Sequence, residues 1–278
     1  MHPEELFWGI DLYSILIALG ILGALVVTRV CADRVHMPAK MLNLCLIDAV
    51  ASVLVGYGSA VLWQAFYNFM KTGTFELASD TGSTFYGGLI GGAIAFFLIY
   101  FLVGRKLFPD RYHISHFIIP LDIAPCCVTI AHGFGRLGCL MAGCCHGKAT
   151  DAWYGIYMVD LGYKVVPLQL YEALFLLALC AFLMVRFFKG RRFGLPIYMV
   201  SYGVWRFIIE FFRGDERGAT VVPFLSPSQL VAILMVAGAF LVYWAERKFF
   251  VPWLVRAEEA GKKSGDDVPP ENPAPAES

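Results

Sequence analysis

The sequence predicts an all-α polytopic membrane protein of about seven transmembrane helices, with its N-terminus outside and its C-terminus in the cytoplasm. Three observations lead there. Of 278 residues, 58% are hydrophobic and only 16% charged, an excess of apolar surface that lipid accommodates better than water. Apolar runs long enough to cross a bilayer as helices recur at 10–29, 41–65, 86–104, 114–134, 167–187, 194–213 and 227–246. They lack the apolar–polar alternation of barrel strands. Finally, 15 of the 22 Lys and Arg fall at 29–40, 105–111, 186–192 and 247–263, and the other seven belong to the opposite side. The cation-rich set is read as cytoplasmic.

The formal net charge is zero, which argues against a nucleic-acid partner, since such a partner needs a basic face. Glu4 and Glu5 stand where a signal peptide would be basic, so no cleavable leader is expected. We expect one transmembrane domain over 1–256, with an outer loop at 135–166, and a disordered cytoplasmic tail over 257–278, where Glu, Lys, Pro, Asp and Ser dominate. No internal repeat is visible, which weakens a transporter reading.

Ionisable groups inside spans mark protein interiors or wet cavities. Asp11, Asp48, Asp122, Glu172, Arg206 and Glu210 qualify. Tyr202, Arg206, Glu210 and Arg213 follow at spacings of four, four and three, which places them on one helix face. Arg206 with Glu210 either neutralises itself or belongs to a site. Gly87/Gly91 and Gly88/Gly92 give small-xxx-small faces, suited to helix packing or to close approach of a ligand.

The stretch His132–Gly147 holds five glycines, Arg136 and three cysteines. So many glycines predict irregular backbone lining a cavity rather than a lipid-facing helix. An arginine there suits a phosphate, gripped through two parallel hydrogen bonds with help from glycine N–H groups. Cys139, Cys144 and Cys145 lie with His146 on the oxidising side. A disulfide from Cys139 to one of the others is the first reading. Zinc is a second, although the spacing matches no standard pattern, and a lipid-carrying thiol a third.

Taken in order, the motifs resemble the prolipoprotein diacylglyceryl transferase family. The resemblance rests on Tyr13; Phe85-Tyr86-Gly87-Gly88-Leu89-Ile90-Gly91; Asp122 with Pro125; Gly135-Arg136-Leu137-Gly138; Gln169-Leu170-Tyr171-Glu172-Ala173; Tyr202 through Arg213; and Ser226-Pro227-Ser228-Gln229. It departs from the family where Asn, Asn and Glu of the signature loop give way to Cys139, Ala142 and Cys144, and where Tyr86 stands at a histidine position. The final glycine is kept as Gly147.

The resemblance implies a bacterial inner-membrane enzyme, active near the outer face. Such an enzyme moves diacylglyceryl from phosphatidylglycerol to the lipobox cysteine of a preprolipoprotein. It implies Arg136 and Arg206 on the phosphate, Arg213 as a weaker third, and Tyr86 or Glu210 as base. Tyr13, Tyr202, Gly87, Gly88, Gly138 and Gly147 would contact substrate, with Glu172 or Asp122 orienting neighbours. No metal and no cofactor are expected. The departures keep two alternatives open: a transferase with another lipid or acceptor, and a non-catalytic lipid-binding or redox-sensing relative.

Overall fold

A computed structural model describes residues 11–73, 85–159, 161–214 and 224–266. Its elements are α1 (Leu12–Arg34), α2 (Ala39–Thr72), α3 (Phe85–Leu107), α4 (Tyr112–Ser115), α5 (Ile118–Met141), β1 (Ile156–Met158), β2 (Tyr163–Val165), α6 (Leu168–Phe188), α7 (Gly194–Ile209), α8 (Pro227–Ala245) and α9 (Val251–Asp266). Among the described residues seven helices are long and apolar enough to cross a membrane. The chain is thus an all-α, multi-pass membrane protein, with one small antiparallel hairpin of β1 and β2.

The ends of the helices follow local chemistry. Asp11 caps α1, its carboxylate accepting from the Ser14 amide at 2.8 Å. Gly73, at φ 76, closes α2 in the left-handed conformation. Ser226 and Gln229 form a reciprocal capping box at the start of α8, with Pro227 in the first turn.

Two expectations are corrected. The glycine-rich stretch is helical as far as Met141, because protein rather than lipid covers it. Gly133 packs against Leu177 and Ala173 of α6, and Gly138 against the Tyr13 ring of α1. The last span continues past 246 through a π turn (Glu246–Phe250) into α9. Helix therefore occupies part of the segment expected to be disordered, where Glu258 and Lys262 lie one turn apart. Residues 267–278 lie outside the described residues.

The single expected domain resolves into two compact units. The first gathers α1 with Ile118–Pro252. In it α1 packs on α5, α5 on α6, and α7 on α8. Asp122 is accounted for there: it accepts from the Gly194 amide at 2.9 Å and lies 3.4 Å from Arg192.

The second unit gathers His36–Phe117 with the chain from Trp253 onward. In it Asp48 accepts from the Ser52 hydroxyl. Buried Tyr100 donates to the His113 carbonyl at 2.8 Å and packs on Phe117. The helices α2 and α3 meet through glycine: a Cβ on Gly87 would lie 2.6 Å from Cβ of Trp63, and one on Gly88 3.2 Å from Cβ of Ala60. Close helix packing thus accounts for Gly87 and Gly88, one of the two uses the sequence offered for them beside approach of a ligand.

A Cβ at Gly56 would sit 3.0 Å from the Gly88 carbonyl, whereas one at Gly58 meets nothing within 4 Å. Gly56→Val should therefore destabilise the α2–α3 pair by about 1–3 kcal/mol, read as a lower Tm in detergent. Gly58→Ala should melt like the parent.

Candidate functional site

At one end of the first unit Glu172, Arg206 and Arg213 are buried together. There the last turns of α5 and α7 meet the first turns of α6 and α8. On α6, three residues apart, Gln169 and Glu172 are 1% and 2% exposed. A carboxylate so deeply buried needs partners, and four side chains supply them. Arg136 Nε lies 3.0 Å from Glu172 Oε2. The Tyr202 hydroxyl donates to Oε1 at 2.8 Å. Arg206 Nη1 and His132 Nε2 each stand 4.0 Å away. Arg136 Nε is also 3.2 Å from His132 Nε2.

A second carboxylate continues the network. Glu210 Oε2 lies 2.9 Å from Arg206 Nη2 and 3.9 Å from Arg213 Nε. Its other oxygen accepts from the Ser226 hydroxyl at 2.9 Å. Arg206 Nη2 donates to Ser228 Oγ at 2.8 Å. After Ile209 the chain tightens into a 3₁₀ turn over Glu210–Phe212, which carries Arg213 to the end of the helix face. The Arg213 backbone then bridges to Gly147.

Three arginines against two glutamates leave one surplus positive charge. Arg206 Nη1 is buried and has no hydrogen-bond partner. An oxyanion with a single negative charge would balance the charge and accept that N–H. Beside the network lies an apolar cavity of about 310 Å³, lined by Val166, Leu168, Tyr171, Trp205, Ile209 and Phe212. Its lining alternates in sequence with Gln169, Glu172 and Glu210, so polar side chains and apolar wall come from the same stretches of chain.

Arg136, Tyr202, Arg206, Glu210 and Arg213, all expected at a site, are brought together. Tyr13 lies against α5 beside Cys139, which the bare backbone of Gly138 permits: a Cβ there would be 3.0 Å from the Tyr13 ring. Gly147 donates to the Val166 carbonyl at 2.9 Å, in a space where a Cβ would strike Val166 at 2.8 Å. Tyr86 belongs to α3 in the second unit, and its side chain lies outside the described residues. Glu172, read from the sequence only as an orienting group, is the hub. Gln169, Ser226 and Ser228 were missed as site residues. Their signals in the sequence were polarity at the mouths of apolar helices and membership of the motifs that carry the resemblance.

The three cysteines also converge. Cys139 lies in the last turn of α5, and Cys144 and Cys145 follow on the loop. None of the three is in a disulfide, and their sulphurs lie within 4.8 Å of one another. Hydrogen bonds with Cys139 and Arg213, and the charges of Arg213 and Arg136, hold the Cys145 thiol well below the usual thiol range against the effect of burial. Burial pushes Cys144 up.

The sequence model described as prolipoprotein diacylglyceryl transferase matches residues 5–245. A phosphatidylglycerol–prolipoprotein diacylglyceryl transferase of Clostridium tetani is 30% identical over 245 residues, covering 84% of this chain and 92% of the relative. One of Clostridium perfringens, numbered 2, is 30% identical over 251 residues, covering 86% and 92%. One of Campylobacter curvus is 31% identical over 194 residues, covering 68% and 66%.

Glu172→Gln removes the central charge from between Arg136 and Arg206. Breaking a buried pair in this way costs about 3–5 kcal/mol, so the variant should melt well below the parent in detergent. Arg136→Gln combined with Glu172→Gln should recover part of the loss. An unchanged Tm in the single variant would remove Glu172 from the centre of the network.

Proposed function

The chain belongs to the prolipoprotein diacylglyceryl transferase family, and from that premise we propose that it transfers diacylglyceryl from phosphatidylglycerol to the lipobox cysteine thiol of a preprolipoprotein, forming a thioether. The observation that carries the reading is the pair of arginines, half-buried Arg136 and buried Arg206, sharing Glu172, with the Arg206 Nη1 group left without a hydrogen-bond partner. A phosphodiester has the charge and the oxygen geometry to fill that vacancy.

In this reaction the acceptor sulphur attacks the glyceryl carbon that carries the phosphate. The carbon–oxygen bond breaks, its electron pair goes to the phosphate oxygen, and glycerol phosphate leaves. Negative charge builds on the leaving oxygen, where fixed guanidinium groups stabilise the transition state most. Arg136 and Arg206 have that role, with Arg213 as a third cation. Glu172 and Glu210 hold the guanidinium planes, and Tyr202 braces Glu172. Tyr13, Gly138 and Gly147 border the headgroup, and the apolar cavity beside Trp205 takes an acyl chain.

The placement of Lys and Arg supports a bacterial cytoplasmic membrane, with the site near its outer face and the C-terminus in the cytoplasm. There the lipid is in the surrounding leaflet and a translocated lipobox peptide is within reach. A second reading, a sister transferase with another acceptor, is favoured by one feature: Cys139, Ala142 and Cys144 in the signature loop.

The test is expression in a strain depleted of its own diacylglyceryl transferase, with a lipobox substrate followed by mass spectrometry. A diacylglyceryl mass increment is expected. Arg136→Ala and Arg206→Ala should each lower transfer by about 10²–10³-fold with the protein still in the membrane. An unlipidated substrate beside well-inserted protein would reject this activity for that acceptor.

A further inference from the structure

The proposed reaction leaves the three thiols of the signature loop unused, and it is short of a proton acceptor. Both oxygens of Glu210 are engaged, one by Ser226 and the other by the arginines. The thiols are assembled by the backbone. The Cys144 amide donates to the Cys139 carbonyl at 3.1 Å. Gly143 and Cys145 turn the chain back through left-handed conformations, at φ 72 and 62. Only the second departs from what its residue type favours.

The turn is held from outside as well. The Gln169 amide donates to the Cys144 carbonyl, Gly147 to Val166, and Gly214 to the His146 carbonyl at 3.3 Å. The result is a tripod whose sulphurs all lie within 4.8 Å of one another. Around a tetrahedral zinc ion with Zn–S of about 2.3 Å, sulphurs stand about 3.8 Å apart. A contraction of about 1 Å thus converts the tripod into a coordination set.

A disulfide would use two of these thiols and strand the third. Three thiolates around a divalent cation use all of them and carry one net negative charge, next to the hydrogen-bonded Arg213 and the nearby Arg136. Cys144 is exposed while Cys139 and Cys145 are half-buried, so one side faces outward. Three protein ligands with one open position is the arrangement of catalytic rather than structural zinc.

We propose that Cys139, Cys144 and Cys145 bind one thiophilic divalent cation of the zinc type, and that the acceptor cysteine thiol takes its fourth position. The proposal rests on the transferase reading for the identity of that thiol. Hydroxide on the cation takes the proton of the incoming thiol and departs as water. The sulphur, now a bound thiolate, attacks the glyceryl carbon; the carbon–oxygen bond breaks, and its electron pair leaves on glycerol phosphate beside Arg136. The thioether dissociates, and a new water binds and loses a proton to solvent. The cation changes no oxidation state.

The test uses the full chain, purified in detergent under argon with reductant and titrated with Co²⁺. One equivalent should give the thiolate-to-cobalt charge-transfer and tetrahedral d–d bands, and Zn²⁺ should displace them. Cys139→Ser and Cys145→Ser should lose the bands, and Cys45→Ser, in the second unit, should keep them. Without phosphatidylglycerol, a lipobox peptide should shift the d–d bands, and its Cys→Ser counterpart should not. Substoichiometric cobalt binding would overturn the proposal. So would an oxidised, metal-free loop that is two hydrogens light by intact mass despite the reductant, or a cobalt spectrum indifferent to the peptide thiol. Transfer that survives chelation to a metal-free protein would also overturn it, while leaving the transferase reading intact. Cobalt and thiol binding without any transfer would do the reverse.

Discussion

Everything at the polar end of the first unit depends on keeping Glu172 charged inside a stack of apolar helices. A buried carboxylate is tolerable only when its oxygens are paired and hydrogen-bonded. No residue of α6 itself does this. Arg136 comes from α5, Tyr202 and Arg206 from α7, and Arg206 in turn ties Ser228 of α8. One side chain thereby fixes the angular position of four helices. Such fixed polarity is also what transition-state stabilisation requires, because groups already oriented by the fold need no reorganisation when charge develops.

Much of this was legible in the chain. The spans follow from hydropathy alone. The face of Tyr202, Arg206, Glu210 and Arg213 follows from helical spacing, and Arg136 from its chemistry among glycines. What could not be read was where helices touch. The row from Gly133 to Gly138 looks like a helix breaker until α1 and α6 are known to fill it. Glu172 looks like one polar group among six until two other helices deliver its partners. The π turn at Glu246–Phe250 leaves no mark that composition could separate from a helix end.

The loop after α5 and the arginine network form one construction. Gly147 joins the backbone of Arg213, Gln169 shares the face of Glu172 while holding the Cys144 carbonyl, and Cys139 follows Arg136 by three residues. The substitutions that set this chain apart in its signature motif therefore sit against the arginine network, not at the periphery.

The capping box of α8 has a consequence for the direction in which protons can travel. The Gln229 amide can only donate, and it donates to Ser226 Oγ at 3.2 Å; the Glu210 carboxylate can only accept, and it accepts from that same hydroxyl. The guanidinium of Arg206 can only donate. With a pure donor at one end and a pure acceptor at the other, the hydroxyl between them has a single allowed orientation. The chain from amide to carboxylate therefore works as a one-way latch rather than a wire, and a proton released in the site must leave by another route.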